Sequence, residues 1–460
     1  MAPLTRRAPL LLVLLGACGP SPTRANASSA DAPQSTGPDR VAAVFSAGFE
    51  GYRSYRIPAI VRLGQTLIAF TEARSVGSDL EKIALLAKRS HDNGLSWSAP
   101  SLVAGDTASP WQTSHGNPVP IADEANGMLH MVFSLNVTWP FHTVSKDLGM
   151  TWSAPRNISG MVKRPGWGWM ATGPNHGLVT KHGRLIVPFN TFPAESKVVT
   201  EVVQTHCAAI GECAHYMNAD GSGALSVKFI VSNTADPSEP ELTATLVNVS
   251  AVPQFLAAGG RSGVFYSDDQ GETWRLGGQV YTMPGSSECV VEEVGDEVLM
   301  SFRIEDLRTS GGCRHMARSI DGGESFPSWY VPSAGPPFEQ ACVPDPTCQG
   351  SLLSLGSGQV VLTSGPTFSV RQNLTIHRST DLGRTFQRLL QVNDGAAGYS
   401  DLVRLGETSE AWSVGVLVET SSSPEWLAAS LIFAAFEVPK PKAAEAAEIA
   451  WRVRQMIIEV

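Results

Sequence analysis

Apolar and polar residues alternate along most of the chain in short runs broken by Gly, Asp or Asn, the pattern of half-buried strands joined by tight turns. The clearest stretch predicts strands over 57–63, 66–73 and 82–90, with a turn at Gly64-Gln65 and a fourth strand around Leu102. Units of the same form start near Asn117, Gly177, Cys289, Gly350 and Tyr399. The last unit has only three strands of its own, over 399–405, 411–420 and 426–438. Its fourth is predicted to come from residues 41–46 near the N-terminus.

An eight-residue phrase marks the end of the third strand in most units. It reads S-x-D-x-G-x-[ST]-[WF] and stands at Ser90 to Trp97, Ser145 to Trp152, Ser267 to Trp274, Ser319 to Phe326 and Ser379 to Phe386. Ordinary usage would place Ser, Asp, Gly and an aromatic in this register on the order of once in a hundred thousand starting positions. Five copies therefore make a structural repeat, with Asp and Gly shaping a turn and the aromatic packing beneath it. Units of about forty to fifty residues with four strands each are what propeller blades look like, and radial closure hides the sheet edges. The expectation is an all-β, six-bladed β-propeller over residues 41–438, its last blade without a copy. Between the copies at Ser145 and Ser267 lies twice the usual interval but one blade's worth of strand signal, so an insertion is expected at about 191–260, in blade three. Residues 439–460 read as a short C-terminal helical tail, with Ile449, Val453, Met456, Ile457 and Val460 at helical spacing.

Composition narrows the classes. Charged residues are 17% and the formal net charge is −9, which argues against a nucleic-acid partner and leaves any anion site dependent on a local cluster of arginines. At the N-terminus, Arg6 and Arg7 precede the apolar run Ala8 to Ala17, too short to span a bilayer and suited to a signal-peptide core. Leu15-Gly16-Ala17-Cys18 resembles a bacterial lipobox, which implies lipidation at Cys18 after removal of residues 1–18. Residues 19–40, rich in Ser, Pro and Ala, read as a disordered tether. The expected location is therefore the cell envelope, exported and lipid-anchored, with a soluble secreted form as the alternative and membrane contact through the anchor only. In an oxidising compartment some of the six cysteines after Cys18 should pair. Sequence proximity suggests Cys207 with Cys213 and Cys342 with Cys348, leaving Cys289 and Cys313, one of fifteen possible connectivities. No zinc-ligand spacing accompanies them.

Meander geometry then sorts the charged residues. The start of strand one, the end of strand two and the start of strand three share one rim, and the phrase lies at the other. On the first rim fall Arg56 (start of blade one), Arg74 and Asp79 (past its second strand), Glu288 and Arg303 (blade four), Arg371 (third strand of blade five), and Tyr399 and Glu419 (blade six). Arginines gathered there imply a small anion, most simply a carboxylate held bidentately. Glu292 and Glu293 follow Glu288 and are alternative strand carboxylates. His115 and His176 stand near blade starts, where they could contact a substrate but more often satisfy local hydrogen bonds, and Trp167 and Trp169 read equally as pocket rim or blade packing.

Tyr55-Arg56-Ile57-Pro58 resembles the [FY]-R-I-P motif of exo-α-sialidases, and the repeated phrase resembles their Asp boxes. The resemblance runs from about Tyr52 to Glu437 apart from the insertion, and extends to Glu288 with Arg303, to Arg371-Gln372-Asn373-Leu374-Thr375 and to Gly398-Tyr399-Ser400-Asp401. It implies that Arg56, Arg303 and Arg371 clamp the carboxylate of sialic acid and that Arg74 lines the pocket near the sugar's ring substituents. It implies Tyr399 as nucleophile, Glu288 as its general base, Asp79 as acid/base on the leaving group, and Glu419 as the carboxylate orienting Arg56. The implied partners are sialylated glycans, with no metal or organic cofactor. A neutral phenol suits a reacting carbon that already bears a carboxylate, where a carboxylate nucleophile would meet like charge. The alternatives are a silent propeller that binds sialoglycans, and action on a related acidic ketoside (Kdn, Kdo) or by transfer.

Overall fold

The structure is a computed structural model that describes residues 37–77, 81–105, 113–165, 167–193, 217–219, 225–227, 260–280, 285–305, 311–334, 342–365, 367, 370–422, 426 and 428–442. Cys18, the tether up to residue 36, Asp79, Cys207, Cys213 and residues 443–460 of the helical tail lie outside the described residues.

Six sheets, antiparallel except where Ser333–Ala334 pairs parallel with the last strand of the fifth, follow one another along the chain and close into a propeller. Blade one is built from Ser54–Leu63, Thr66–Arg74, Ile83–Ser90 and Ser101–Ala104. Its second and third strands are buried along their whole length, as strands covered by neighbouring sheets on both sides must be. Blade four has the same plan, from Ser286–Val294, Glu297–Ile304, His315–Ser319 and Ser328–Tyr330. Blade six takes three strands from the end of the propeller, Ser400–Glu407, Ala411–Ser421 and Ala429–Pro439, and its fourth from Arg40–Phe45. The register Arg40↔Ala435 to Phe45↔Leu431 confirms the N-terminal latch.

Each gap between blades is filled by its own apolar cluster. Phe70 and Leu85 of blade one meet Met131 and Phe133 of blade two. Val132 of blade two meets Phe189 of blade three, Ile186 of blade three meets Met300 of blade four, and Leu299 of blade four meets Leu362 of blade five. Val361 of blade five meets Val416 of blade six, and Phe433 of blade six returns to Ile60 and Leu67 of blade one. The core is thus a ring of six wedges, and removing any one would expose two sheet faces.

Two sequence expectations need correcting. Blade three does not start at Gly177. Its inner strand begins with Trp167–Thr172 and resumes at Leu178–Val179, both paired with Leu185–Pro193, because left-handed Gly173 followed by Pro174 breaks the strand in two. The sheet then continues with Arg261–Ser267 and Arg275–Gln279, and within the insertion Met217–Ala219 pairs with Leu225–Val227. The cysteine pairing also differs: Cys313 bonds Cys342, while Cys289 and Cys348 are buried free thiols. Proximity in sequence misled because the segment 312–314 runs beside 343–345, as Arg314 N–H to Val343 O (2.9 Å) and Asp345 N–H to Gly312 O (2.7 Å) record.

The repeated phrase builds the same turn each time. At Ser145 the hydroxyl accepts from Gly149 N–H (2.8 Å) and donates to Asp147 (2.7 Å), whose other oxygen takes the Thr151 hydroxyl (2.5 Å). Leu148 and Gly149 are left-handed, at φ 59° and 76°. Glycine is required for contact as well: a Cβ on Gly94, the equivalent position in blade one, would fall 2.3 Å from the Phe433 ring. The aromatic reaches back to the preceding blade, Trp97 to Phe433 of blade six (5.6 Å) and Trp152 to Phe70 of blade one (6.2 Å). Each copy is therefore a staple between blades.

Candidate active site

On the opposite rim, the inner strands of blades one, two and four slip register near their starts, between Arg56 and Ala59, Gly116 and Val119, and Ser286 and Cys289. Such bulges bend a strand and re-aim its side chains. In blade one the bulge holds Ile57 at φ 58°, a conformation that costs a β-branched residue about 1–3 kcal/mol and clusters at functional sites. One carboxylate compensates. Glu419, wholly buried, accepts Ile57 N–H (2.7 Å) on one oxygen and both Arg56 Nη2 (3.2 Å) and Tyr399 N–H (3.1 Å) on the other. The first arginine and the backbone of the tyrosine are thereby fixed to a common point.

Tyr399 lies at the centre. Its hydroxyl donates to Glu288 Oε1 at 2.8 Å and accepts from Arg303 Nη1 at 3.0 Å. The guanidinium carbons of Arg56, Arg371 and Arg303 stand 5.3, 5.4 and 6.0 Å from its ring centre, within cation–π range. The ring packs on Ile57 and Cys348. Burial holds the Tyr399 phenol well above its ordinary range, with Arg303 pulling it down and Glu288 pushing it further up. Burial likewise raises Glu288, against the pull of Arg303. The phenol therefore keeps its proton at neutral pH and shares it with Glu288 Oε1 in a hydrogen bond.

The arginines are held unequally. Arg303 Nη1 is 2.9 Å from Glu288 Oε2, while its Nε and Nη2 both donate to Glu305 Oε1, at 3.2 and 2.7 Å. Burial opposes its charge, but Glu288 and Glu305 hold it firmly protonated. Arg371 Nη2 donates to the Thr347 carbonyl at 2.6 Å, and among the described residues no carboxylate stands within ion-pair distance of it. That carbonyl also lies 3.4 Å from Arg303 Nη1, so Thr347, left-handed at φ 51°, spaces the two arginines. Arg74 reaches the same rim but is buried against Glu72, Nε to Oε2 3.0 Å, with Glu72 also taking Asn117 N–H (2.7 Å). Asp79 is outside the described residues; beside it Glu81 accepts the Val76 and Gly77 amides at 2.5 and 2.6 Å.

The remaining candidates serve the scaffold. His176 bridges Asp401 (2.7 Å) and Glu292 (3.1 Å), and Asp401 also takes Ile60 N–H (2.8 Å), Asn175 Nδ2 (2.7 Å) and Ser351 Oγ (2.8 Å). Inner strands or strand starts of blades one, three, five and six meet there. Burial works against the His176 charge, yet Asp401 and Glu292 raise it to about 10. Glu293 caps Lys181 N–H at 2.8 Å. The His115 ring is 5.7 Å from Phe133, and Trp167 and Trp169 pack on Phe189 and Phe192. Glu72, Glu305 and Thr347 are not among the residues the sequence reading nominates. A signal for the two carboxylates exists: Glu72 and Arg74, and Arg303 and Glu305, are each two apart on a strand end and so share a face. Among the described residues no group of three or more His, Cys, Asp or Glu side chains could hold a metal ion.

Known proteins resemble this chain along most of its length. Residues 65–225 and 244–410 match the family described as BNR repeat-like domain. Human sialidase-4 is 25% identical over 324 residues, 65% of this chain and 54% of that protein. The sialidase of Micromonospora viridifaciens is 26% identical over 373 residues, 78% of this chain and 49% of that protein. The chain thus spans about half the length of these curated relatives. Among solved structures, the Hadza microbial sialidase Hz136 superposes with a TM-score of 0.63 at 20% identity, covering 86% of this chain and 68% of that one. At that identity the structural likeness is one of fold.

Proposed function

The chain belongs to the family of BNR repeat-like domains, and from that premise we propose that it is a retaining exo-α-sialidase, hydrolysing terminal sialic acid α-ketosides of glycoconjugates. The observation that carries the proposal is the Tyr399 hydroxyl, 2.8 Å from Glu288 and ringed by three arginines. A phenol with an ordinary pKa of about 10 is a weak nucleophile until a base removes its proton.

In the first step the phenol oxygen bonds to the anomeric carbon as Glu288 takes its proton. The bond to the leaving oxygen breaks, and Asp79 protonates that oxygen. In the second step Asp79 takes a proton from water, whose oxygen displaces the tyrosine, and Glu288 returns its proton to the phenol oxygen. Two displacements at one carbon leave its configuration unchanged. The arginines hold the substrate's carboxylate and stabilise the phenolate as it forms.

Localisation belongs to the same proposal. The apolar run Ala8 to Ala17, closing on the lipobox-like Cys18, supports export and lipid anchoring, with the propeller displayed in the cell envelope. The test is turnover of aryl α-ketosides of Neu5Ac, Kdn and Kdo, with proton NMR of the first product formed. Release of Neu5Ac as the α-anomer supports the reading, and the β-anomer first would sink retention. Binding of sialic acid without turnover would make the chain a sialoglycan-binding propeller, and preferred turnover of Kdn or Kdo would replace the substrate.

A further inference from the structure

We infer that His176 is a positioning residue that ties the strand carrying Tyr399 to the strand carrying Glu288, through Asp401 on the first and Glu292 on the second. The inference rests on the sialidase reading above and adds to it a residue that acts from beneath the reacting pair.

Tyr399 and Glu288 belong to blades six and four, with blade five between them. No main-chain ladder joins their strands. Ser286–Val294 is the innermost strand of its sheet and pairs only with Glu297–Ile304, and Ser400–Glu407 pairs only with Ala411–Ser421. Apolar packing between blades is non-directional and sets their spacing only broadly. The 2.8 Å bond from phenol to base therefore depends on side chains that cross the axis.

His176 makes such a crossing. It stands between the two halves of the blade-three inner strand, Trp167–Thr172 and Leu178–Val179, directly after Asn175 at φ 117°. An unbroken strand would pair its backbone there; the break instead turns the imidazole toward the axis. Its N–H donates to Asp401 Oδ2 (3.2 Å), Nδ1 lies 2.7 Å from Asp401 Oδ1, and Nε2 lies 3.1 Å from Glu292 Oε1. Asp401 is two residues beyond Tyr399 and Glu292 four beyond Glu288, so the bridge joins the same two strands one step further from the rim. Asp401 cannot swing away: it is wholly buried and also takes Ile60 N–H, Asn175 Nδ2 and the Ser351 hydroxyl.

Both ring nitrogens face carboxylate oxygens. Only the imidazolium has two N–H donors, since a neutral ring would aim a lone pair at one of them. Burial opposes that charge, but Asp401 and Glu292 hold the ring protonated through neutral pH. A buried ionic bridge often adds no more stability than well-packed apolar groups would, and its attested use is to fix register. Here the register is that of nucleophile against base.

His176→Phe strands two buried carboxylates and tests folding as much as position, so the decisive variants change only the blade-four arm. Glu292→Leu cuts that arm and leaves His176 on Asp401; Glu292→Met makes the same cut with an unbranched chain, should the leucine not fold. Glu292→Gln keeps an acceptor oxygen for Nε2. Each is compared with the parent well below its Tm, with an aryl sialoside for kcat and calorimetric titration of Neu5Ac for Kd. In Glu292→Leu kcat is expected to fall at least tenfold, toward the roughly 100-fold that a misplacement of about 1 Å can cost. The Kd for Neu5Ac should stay within about threefold, because the arginines of blades one and five keep their places. Glu292→Gln should return kcat to within about threefold of the parent. A lower Tm with kcat unchanged in Glu292→Leu would overturn the inference and leave His176 a structural brace. Equal kcat losses in the Leu and Gln variants would overturn it by showing that the bridge is not what matters, and parallel losses of kcat and Neu5Ac binding would overturn it in favour of a general collapse of the pocket. A parent that neither binds nor turns over the sialoside overturns the sialidase reading itself, an outcome seen before any variant is made.

Discussion

The two faces of the propeller are made by the same blades but by opposite means. On the Asp-box face, five turns repeat one local hydrogen-bond pattern, and the partners lie two or four residues apart. On the arginine face nothing repeats. Glu419 reaches Arg56 across 363 residues, and Tyr399 reaches Glu288 across 111. The repeated face sets the spacing of the blades, and the unrepeated face uses that spacing to bring single residues together. Damage to one copy on the first face should stay local, whereas damage on the second should spread through everything the residue joins.

The sharpest break in that comparison is Tyr399→Phe. The ring keeps its packing on Ile57 and Cys348 and loses only the oxygen that Glu288 and Arg303 address. Turnover of an aryl sialoside should fall about 1000-fold or more, the scale of losing a nucleophile, while Tm stays within a few degrees. A variant as active as the parent would refute the nucleophile assignment.

Next in size is Glu419→Ala. It leaves Arg56 without this carboxylate and orphans the amides of Ile57 and Tyr399, all in a buried place. Breaking a buried charged pair typically costs about 3–5 kcal/mol, and the left-handed Ile57 loses its compensation as well. Chemical denaturation should show that loss, and kcat/KM measured on the folded fraction should fall at least tenfold because Glu419 no longer fixes Arg56 and the Tyr399 backbone to one point. A loss under about 1 kcal/mol would mean that the site's frame is carried elsewhere.

How much of this was legible in the chain follows the same division. The Asp boxes could be found and their turn chemistry read because every hydrogen bond in them is local. The N-terminal latch was legible by counting: a blade with three strands needs a fourth. Arg56, Arg303, Arg371, Tyr399, Glu288 and Glu419 could be assigned to one rim by meander topology, and the structure brings them together. Thr347 was hidden because its contribution is a backbone carbonyl, which no side-chain pattern announces. Glu305 was overlooked although its spacing from Arg303 would have shown it. The cysteine pairing failed for a related reason: Cys313 and Cys342 belong to segments that only the passage from blade four to blade five sets side by side. The strand break at Gly173-Pro174 concealed the true start of blade three, since half of an interrupted strand carries too little alternation to register.

Acid should expose a further difference between the regions. His142 lies under the blade-three box, 3.0 Å from His130 and with its ring 5.3 Å from that of Trp274. Burial, with His130 and Arg156 adding to it, depresses its pKa to about 3, and burial puts His377 in blade five at about 3 as well. An unfolded histidine takes its proton near pH 6.5. Between that value and about pH 3 the unfolded chain therefore binds protons that these folded residues refuse. Their contribution is complete above pH 6.5 and is lost progressively as pH falls toward 3. His176 has the reverse sign: raised to about 10, it contributes fully below pH 6.5 and loses that contribution as pH rises through 10. Denaturant midpoints measured across pH should show His142→Phe flattening the acid limb while leaving the alkaline limb alone. If both limbs change together, His142 under the blade-three box and the His176 cluster do not titrate independently.

The smallest effect belongs to a single Asp box. In Asp147→Ala the Ser145 hydroxyl still accepts from Gly149 N–H, so the left-handed turn survives, but the Thr151 amide and hydroxyl lose their acceptor. Those groups are exposed, and water replaces much of what is lost, so the cost should be about 1 kcal/mol. In a chain of this size that lowers Tm by about 2 °C or less. Trp152 keeps its contact with Phe70, so blades one and two stay joined and the geometry around Tyr399 does not move. Differential scanning calorimetry and kcat/KM on the same preparation decide the matter. A tenfold fall in kcat/KM from this one aspartate would show that a box on the far face reaches through its blade to the arginine rim, and the separation of the two faces would fail.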